Sequence, residues 1–149
     1  MRLGIVGCGY VSALYLRTIQ RRPSLQIVGV TDLIPARRKL LAHHSGAREF
    51  ESVSELIERS GADIIVNLTN PGSHYAINRE ALLAGKNVYC EKPLAMDLND
   101  ARELVRLAEQ DGLYLSGAPC SVLGEVAQAV WRELRRGSIG TPRVTYAEL

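Results

Sequence analysis

Residues 3–12 read LGIVGCGYVS, an apolar run that ends in two closely spaced glycines and passes directly into a stretch with helical spacing. Residues 25–32 read LQIVGVTD, a second apolar run, and Pro23 stands where the intervening helix must have stopped. Continuous apolar runs of this length are typical of strands that are buried on both faces of a sheet. The two runs therefore predict strand, helix and strand within about thirty residues, the length of a βαβ unit.

The same alternation continues along the rest of the chain. Further helices are predicted over 35–44, 53–59, 75–84, 97–111 and 121–136, and further strands over 48–50, 62–68, 87–90 and 113–115. This order predicts an α/β fold, a doubly wound and mostly parallel sheet of the Rossmann type. Residues 143–149 alternate as a half-buried strand does, so we expect 1–140 to form one domain and 141–149 to begin a second domain that is absent from this chain.

Length and composition favour a globular domain that binds small molecules. The 149 residues are 46% hydrophobic and 23% charged, and the formal net charge is +2. That charge is too small for a nucleic-acid surface, and no apolar run approaches the roughly 20 residues of a membrane-spanning helix. We therefore expect a cytoplasmic protein with neither nucleic acid nor membrane as partner. The cysteines lack metal-ligand spacing, so we expect no metal, and we interpret Cys8, Cys90 and Cys120 as small buried hydrophobes.

The glycine turn has the pattern that holds the pyrophosphate of a dinucleotide. Gly7 allows the tight turn, and Gly9 lets the backbone approach a phosphate. The helix that Tyr10 and Val11 open supplies unpaired N–H groups and the positive end of a dipole. Ser12 stands where a third glycine is usual. A glycine-rich turn without a ligand is the alternative interpretation.

Asp32 makes the dinucleotide interpretation stronger. It ends the second strand, where an acidic side chain is expected to accept hydrogen bonds from the adenosine ribose. A carboxylate there repels the extra phosphate of NADP, so NAD is the predicted cofactor. Arg37 and Arg38 keep NADP open as the less favoured alternative, although both also suit a solvated helix face.

Two further stretches are more specific than a general dinucleotide fold. Residues 67–74 read NLTNPGSH, and residues 84–95 read AGKNVYCEKPLA. With the glycine turn, they resemble the Gfo/Idh/MocA family, named after glucose-fructose oxidoreductase, inositol dehydrogenase and rhizopine catabolism. The resemblance continues to RGSIG at 136–140 and covers the whole chain. It implies an enzyme of roughly twice this length, with a second α/β domain, that transfers hydride between a nicotinamide cofactor and a hydroxyl of a sugar, inositol or nucleotide sugar.

The resemblance also implies roles for individual residues. Lys92 is expected beside the nicotinamide and the substrate hydroxyl, as the catalytic group of this half of the enzyme. The remaining acid-base groups of such a site belong to the second domain, and the full-length enzyme is expected to be a homo-oligomer. The cofactor is expected to be lined by Thr69, Asn70, Pro71 and Glu91, with His74 near the same rim.

The chemistry of Lys92 supports this expectation independently of the resemblance. A cation beside a secondary alcohol stabilises alkoxide character as the hydroxyl proton is lost, and ligands of parallel sheets bind at the carboxyl ends of the strands. Pro93 fixes the backbone after the lysine, and a cis Lys92–Pro93 bond fits this position. Sequence alone leaves Lys92 open as an exposed strand-end charge and His74 as a satisfied helix-start histidine.

Other motifs receive structural interpretations. His43 and His44 are predicted to lie on the surface, because adjacent residues on a helix cannot face one metal. Trp131 and its apolar neighbours are predicted to be core. A stand-alone nicotinamide-binding module without catalysis is the second hypothesis for function. A methyltransferase ranks last, because Pro71 and the Glu-Lys-Pro segment have no place in it.

Overall fold

The structure is a computed structural model that describes residues 1–118 and 123–146. Its strands are β1 Arg2–Val6, β2 Gln26–Thr31, β3 Arg48–Glu49, β4 Ile64–Asn67, β5 Asn87–Cys90 and β6 Leu115–Gly117. Its helices are α1 Tyr10–Ile19, α2 Pro35–Ser45, α3 Val53–Arg59, α4 Pro71–Leu83, α5 Leu98–Gln110 and α6 Glu125–Arg136. Strands and helices thus alternate as predicted.

The six strands form one parallel sheet in the order β3-β2-β1-β4-β5-β6. The chain moves outward in one direction from β1 to β3, and then returns to the other side of β1 with β4. This reversal confirms the predicted doubly wound fold. It also creates a crevice between the carboxyl ends of β1 and β4, the place where open α/β sheets bind their ligands.

Both faces of the sheet are covered by helices, which explains why the strands read as apolar runs. On one face α1 and α2 pack against the sheet around Ile5, Val30 and Val66. On the other face α3, α4 and α5 pack against it around Ile65 and Val88. The two cores lie within Met1–Ala118, which forms one compact unit; Pro119–Leu149 forms another and contains α6.

Several predicted boundaries are shifted by local backbone chemistry. Helix α4 begins at Pro71 instead of at residue 75, because proline suits the first position of a helix. Strand β6 begins at Leu115 rather than at residue 113, because the N–H of Leu113 still caps α5 by donating to the carbonyl of Ala108 at 2.8 Å. The predicted start of the last helix at Ser121 lies outside the described residues.

Two predictions about the end of the chain are wrong. Residues 143–146 have no regular structure, since a strand forms only against a partner strand; residues 147–149 lie outside the described part. In α6, Trp131 is 55% exposed and Val126 79% exposed, so they are not core. A single amphipathic helix buries its apolar side only against another element. The domain boundary at residue 140 stays a prediction.

Candidate cofactor and active site

The register of the sheet brings the predicted site residues to one edge. Val6 pairs with Thr31 on one side and with Asn67 on the other, and Asn67 pairs with Cys90. The residues that follow these four positions therefore leave the sheet side by side. They are Gly7, Asp32, Leu68 and Glu91, at what we call the carboxyl edge.

Gly7 makes the turn at the carboxyl end of β1, and its conformation excludes a side chain. Its φ is +91°, a value that L residues rarely adopt. A Cβ atom at Gly7 would lie 2.8 Å from both the carbonyl carbon and the carbonyl oxygen of Leu68. The N–H of Gly7 donates to the carbonyl of Thr31 at 2.9 Å. Glycine is thus required here because the turn lies directly against the end of β4.

Gly9 differs from Gly7 in that the space beside it is open. A Cβ atom at Gly9 would meet nothing within 4 Å. Gly9 is the N-cap of α1, and among the described residues no side-chain hydrogen bond caps the start of this helix. Ser12 is buried and donates its hydroxyl to the carbonyl of Gly9 at 2.6 Å, which leaves the outer side of the turn clear. An uncapped helix end with free space before it fits a pyrophosphate group.

Asp32 is fixed beside this turn. Its Oδ2 accepts from the N–H of Cys8 at 2.7 Å, and its Oδ1 accepts from the N–H of Ile34 at 2.7 Å. The side chain is half-buried. A carboxylate oxygen accepts more than one hydrogen bond, so ribose hydroxyls can still bind to both oxygens.

The two arginines of α2 have different environments. Arg37 is exposed, as predicted. Arg38 is only 6% exposed, and it forms ion pairs with Glu49 at 3.2 Å and with Glu51 at 2.8 Å. The interpretation of Arg38 as a solvated side chain is therefore wrong. The guanidinium of Arg38 is already bound by two carboxylates. Arg37 is therefore the better candidate for a 2′-phosphate contact.

The loop between β4 and α4 holds Thr69 and Asn70 at the carboxyl edge, and Pro71 follows them as the first residue of α4. The loop is supported by Asn67, a fully buried residue that sequence reasoning missed. The Oδ1 of Asn67 accepts from the Thr69 hydroxyl at 2.7 Å, and its Nδ2 donates to Oδ1 of Asn78 at 2.9 Å. The sequence did contain a signal for this role, namely an amide side chain directly after the run 62–66. A polar group that is buried there must find hydrogen-bond partners.

His74 connects this loop to the Glu-Lys-Pro segment. Its side chain is fully buried in the first turn of α4. Nδ1 lies 2.6 Å from the carbonyl oxygen of Pro93, and Nε2 lies 3.1 Å from the carbonyl oxygen of Thr69. His74 is therefore a hydrogen-bonded histidine at a helix start, and it joins the two segments that carry the family resemblance.

Glu91 is held by groups on both sides. The hydroxyl of Tyr15 donates to Oε1 of Glu91 at 2.7 Å, and the backbone N–H of Lys92 donates to Oε2 at 3.2 Å. Burial, followed by hydrogen bonds with Tyr89 and Glu91, raises the pKa of Tyr15 well above its ordinary value. The hydroxyl therefore keeps its proton and donates a hydrogen bond to the carboxylate. Tyr15 lies in the stretch whose helical spacing predicted α1, and that spacing alone gives it no role in the site.

Lys92 is exposed at the carboxyl edge. The bond between Lys92 and Pro93 is cis, as the sequence had indicated. Within residues 1–118 and 123–146, the ammonium group of Lys92 has no hydrogen-bond or ion-pair partner. A fixed backbone with an unpaired cation at its end is an arrangement that can receive a developing negative charge.

The described cysteines are structural. Cys8 and Cys90 are both buried, as predicted, whereas Cys120 lies outside the described residues. Burial raises the pKa of the Cys8 thiol to about 12 and that of Cys90 to about 11, so both stay protonated at neutral pH. His43 and His44 are exposed on α2. No group of three or more His, Cys, Asp or Glu residues suited to a metal occurs in the part of the chain that the structure describes.

Comparisons with known proteins bear on the family and the fold of the chain. The sequence model of an oxidoreductase family with an NAD-binding Rossmann fold, Gfo/Idh/MocA, matches residues 1–118. An inositol 2-dehydrogenase/D-chiro-inositol 3-dehydrogenase of Lactiplantibacillus plantarum is 28% identical over 107 residues, which are 70% of this chain and 31% of that protein.

Solved structures of similar proteins contain bound nicotinamide cofactors. The WlbA dehydrogenase of Chromobacterium violaceum, in complex with NADH and UDP-GlcNAcA, has a TM-score of 0.90 and 26% identity, covering 94% of this chain and 41% of that one. Biliverdin reductase of Synechocystis, in complex with biliverdin and NADP+, has a TM-score of 0.81 and 31% identity, covering 90% and 42%. The chain thus spans less than half the length of each of these three proteins.

Among the described residues, no helix is long and apolar enough to cross a membrane.

Proposed function

Because the chain belongs to the Gfo/Idh/MocA family of NAD-binding oxidoreductases, we propose that it binds NAD at the carboxyl edge and supplies Lys92 to a dehydrogenase reaction. The substrate is a hydroxyl of a sugar, an inositol or a nucleotide sugar. The names of an inositol dehydrogenase and of a dehydrogenase solved with UDP-GlcNAcA support that substrate class. The unpaired ammonium of Lys92, which follows β5 at the same carboxyl edge as the glycine turn, is the observation that carries the proposal.

The residues of the carboxyl edge divide the work of holding the cofactor. The turn at Gly7 and Gly9 and the uncapped start of α1, at Tyr10 and Val11, bind the pyrophosphate. Asp32 accepts hydrogen bonds from the adenosine ribose. The nicotinamide side is lined by Thr69, Asn70, Pro71 and Glu91, and the buried His74 supports this rim by its contacts with the carbonyls of Thr69 and Pro93.

Lys92 acts on the substrate oxygen. When bound, NAD would supply the acceptor for the hydride that leaves the carbon carrying the hydroxyl. That hydroxyl also loses its proton, to a base in the further length that this chain's relatives have, and its oxygen gains negative charge on the way. The Lys92 ammonium stabilises this charge, and it does so more strongly in the transition state than in the ground state. Because Lys92 has no partner among the described residues, it loses no internal ion pair when it turns to the substrate.

Asp32 favours NAD over NADP. Its carboxylate would lie close to the phosphate that NADP carries on the ribose, and two negative groups at such a distance repel each other. The nearby buried Arg38 does not offset this repulsion, since it is already paired with Glu49 and Glu51. Arg37, which is exposed on α2, remains as the candidate cation for that phosphate.

Calorimetry with NAD and NADP tests the assignment of Asp32. The unmodified chain should bind NAD more tightly, and Asp32→Ser should weaken NAD binding by about tenfold or more, the scale of losing hydrogen bonds to a charged group. NADP binding should change less or improve. Asp97→Ser is the matched control, because Asp97 also accepts from the N–H two residues ahead, at 2.7 Å, yet caps α5. Equal affinities of the unmodified chain for both cofactors would contradict the assignment.

A further inference from the structure

Lys92 has no side-chain partner of its own among the described residues, yet each of its two neighbours in the chain is held by a different helix. Tyr15 of α1 binds Glu91, and His74 of α4 binds the carbonyl of Pro93. We propose that Tyr15 and His74 are positioning residues for Lys92, which act by fixing the backbone on either side of it. This inference rests on the role proposed for Lys92.

The contact from α1 joins the dinucleotide turn to the lysine. Helix α1 begins directly after Gly9, and Tyr15 lies in its second turn. Its hydroxyl donates to Glu91 at 2.7 Å and lies 3.4 Å from the hydroxyl of Tyr89. Glu91 in turn accepts from the backbone N–H of Lys92. A chain of two hydrogen bonds therefore runs from the helix that receives the pyrophosphate to the backbone of Lys92.

The contact from α4 fixes the other side. His74 is fully buried, and its Nδ1 lies 2.6 Å from the Pro93 carbonyl. Four residues further along α4, Nδ2 of Asn78 donates to the carbonyl of Leu94 at 3.3 Å. Nε2 of the same histidine meets the Thr69 carbonyl, so the loop after β4 and the segment after β5 share one side chain. Buried polar contacts of this kind have few alternative arrangements, and they specify a single backbone geometry.

Positioning through the backbone suits a lysine whose ammonium must remain free. The lysine stem has many rotamers, and a side-chain ion pair would fix it only by occupying the charge that the reaction needs. Fixing Glu91 and Pro93 instead limits where the Lys92 Cα and the start of its stem can lie. A misplacement of about 1 Å in such a group can cost on the order of a hundredfold in rate, so this control matters.

Lysine-selective NMR of the whole chain tests the proposal. The lysines of the chain are Lys39, Lys86 and Lys92, so [15N]lysine labelling gives an uncrowded set of amide signals that Lys→Arg variants assign. Tyr15→Phe removes one oxygen atom and should lower the order parameter of the Lys92 amide from about 0.85 towards about 0.6, with the amides of Lys39 and Lys86 unchanged. Tyr75→Phe is the matched control, because Tyr75 also donates to a glutamate, Glu103, at 2.8 Å.

Two variants of His74 provide a rescue experiment. His74→Gln keeps an N–H donor for the Pro93 carbonyl, and His74→Leu removes it. The Lys92 amide should be more ordered in the Gln variant than in the Leu variant. If the Leu variant does not fold, the proposal is tested by the Tyr15→Phe variant and by comparing the Gln variant with the unmodified chain. An unchanged Lys92 amide in Tyr15→Phe, or the same change in Tyr75→Phe, would overturn the proposal.

Addition of NAD separates this inference from the proposed function. In the unmodified chain NAD should shift the Lys92 amide signal and leave that of Lys86 in place, and Tyr15→Phe should reduce the Lys92 shift while NAD affinity stays within a few fold. Absence of any NAD-induced shift at Lys92 in the unmodified chain would contradict the role of Lys92 itself. A normal shift that Tyr15→Phe leaves intact would contradict only the positioning role.

Discussion

Charged groups are arranged in different ways at the carboxyl edge, where the strands end, and at what we call the amino edge, where the strands begin. At the amino edge, Arg2 and Asp63 neutralise each other: Nη2 of Arg2 lies 2.7 Å from Oδ1 of Asp63, and the Arg2 backbone N–H donates to Oδ2 at 2.8 Å. At the carboxyl edge, Asp32 and Glu91 accept hydrogen bonds from backbone N–H groups and a tyrosine hydroxyl, and the cation of Lys92 is not paired with them.

This difference follows from what each edge does. The amino edge connects strands to one another: Asn87 donates to the Asp63 carbonyl at 3.1 Å and accepts from the N–H of Tyr114 at 2.9 Å. Ion pairing there satisfies the charges within the protein. At the carboxyl edge neutral donors hold the carboxylates in place without cancelling their charge, and Asp32 and Lys92 keep net charges that a ligand can meet.

The largest expected effect concerns the lysines on either side of β5. Lys92→Met keeps most of the stem but removes the charge, and it should lower kcat by about a hundredfold or more. The measurement is the rate of NADH formation from a polyol. It requires this chain as part of an enzyme of the full length that its relatives have. Lys86→Met is the matched control, because Lys86 precedes β5 at the amino edge. Near-normal kcat in Lys92→Met would make Lys92 a strand-end surface charge.

Glycines with positive φ at the two edges should differ in a similar way. Gly7→Ala combines a φ of +91° with a Cβ only 2.8 Å from the Leu68 carbonyl, so it should lower the free energy of unfolding by about 3 kcal/mol or more. Gly61→Ala at the amino edge has a φ of +69° and meets only the flexible Arg2 guanidinium, at 3.2 Å. Its expected cost is about 1 kcal/mol. Urea unfolding measures both, and equal losses would mean that the contact with Leu68 relaxes.

Sequence reasoning was most accurate where one local pattern determines the backbone. The apolar runs, the glycine turn and the position of Asp32 at the end of β2 each depend on a few adjacent residues. The register of parallel strands then brings the ends of β1, β2, β4 and β5 together, so a site at the carboxyl edge follows from the predicted fold. The cis bond before Pro93 was predicted from the proline itself, whereas the Glu-Lys-Pro segment was singled out by the family resemblance.

Contacts between residues far apart in the chain were not predictable from local patterns. Tyr15 and Glu91 are 76 positions apart, and helical spacing alone does not distinguish Tyr15 from its neighbours. The burial of Arg38 depends on Glu49 and Glu51, which meet it only after β3 has joined the sheet. The predicted strand at 143–149 failed over 143–146 because alternation describes a preference, and the partner strand that would satisfy it is not among the described residues.

The smallest expected effect tests the ion pair of the amino edge through its pH dependence. Hydrogen bonds from the Arg2 side chain, followed by the one from the Arg2 backbone N–H, lower the pKa of Asp63 from 3.8 to about 2. A carboxyl whose pKa is lowered by folding adds stability above its unfolded pKa, and this contribution is lost as the pH falls from about 4 to about 2. Arg2→Met removes the side-chain donors and leaves the backbone N–H, so the pKa of Asp63 should rise.

Carboxyl 13C NMR of Asp63 measures that pKa directly, and urea unfolding between pH 2 and 6 measures its consequence. The stability difference between the unmodified chain and Arg2→Met should be constant above about pH 5 and should shrink as the pH falls towards 2. Arg59→Met is the matched control, because Arg59 pairs with Glu55 at 3.0 Å within α3, away from the sheet edges, and its removal should leave the titration of Asp63 unchanged. If Asp63 titrates identically with and without the Arg2 guanidinium, the Arg2 side chain does not neutralise Asp63, and the contrast between the two edges loses its amino-edge half.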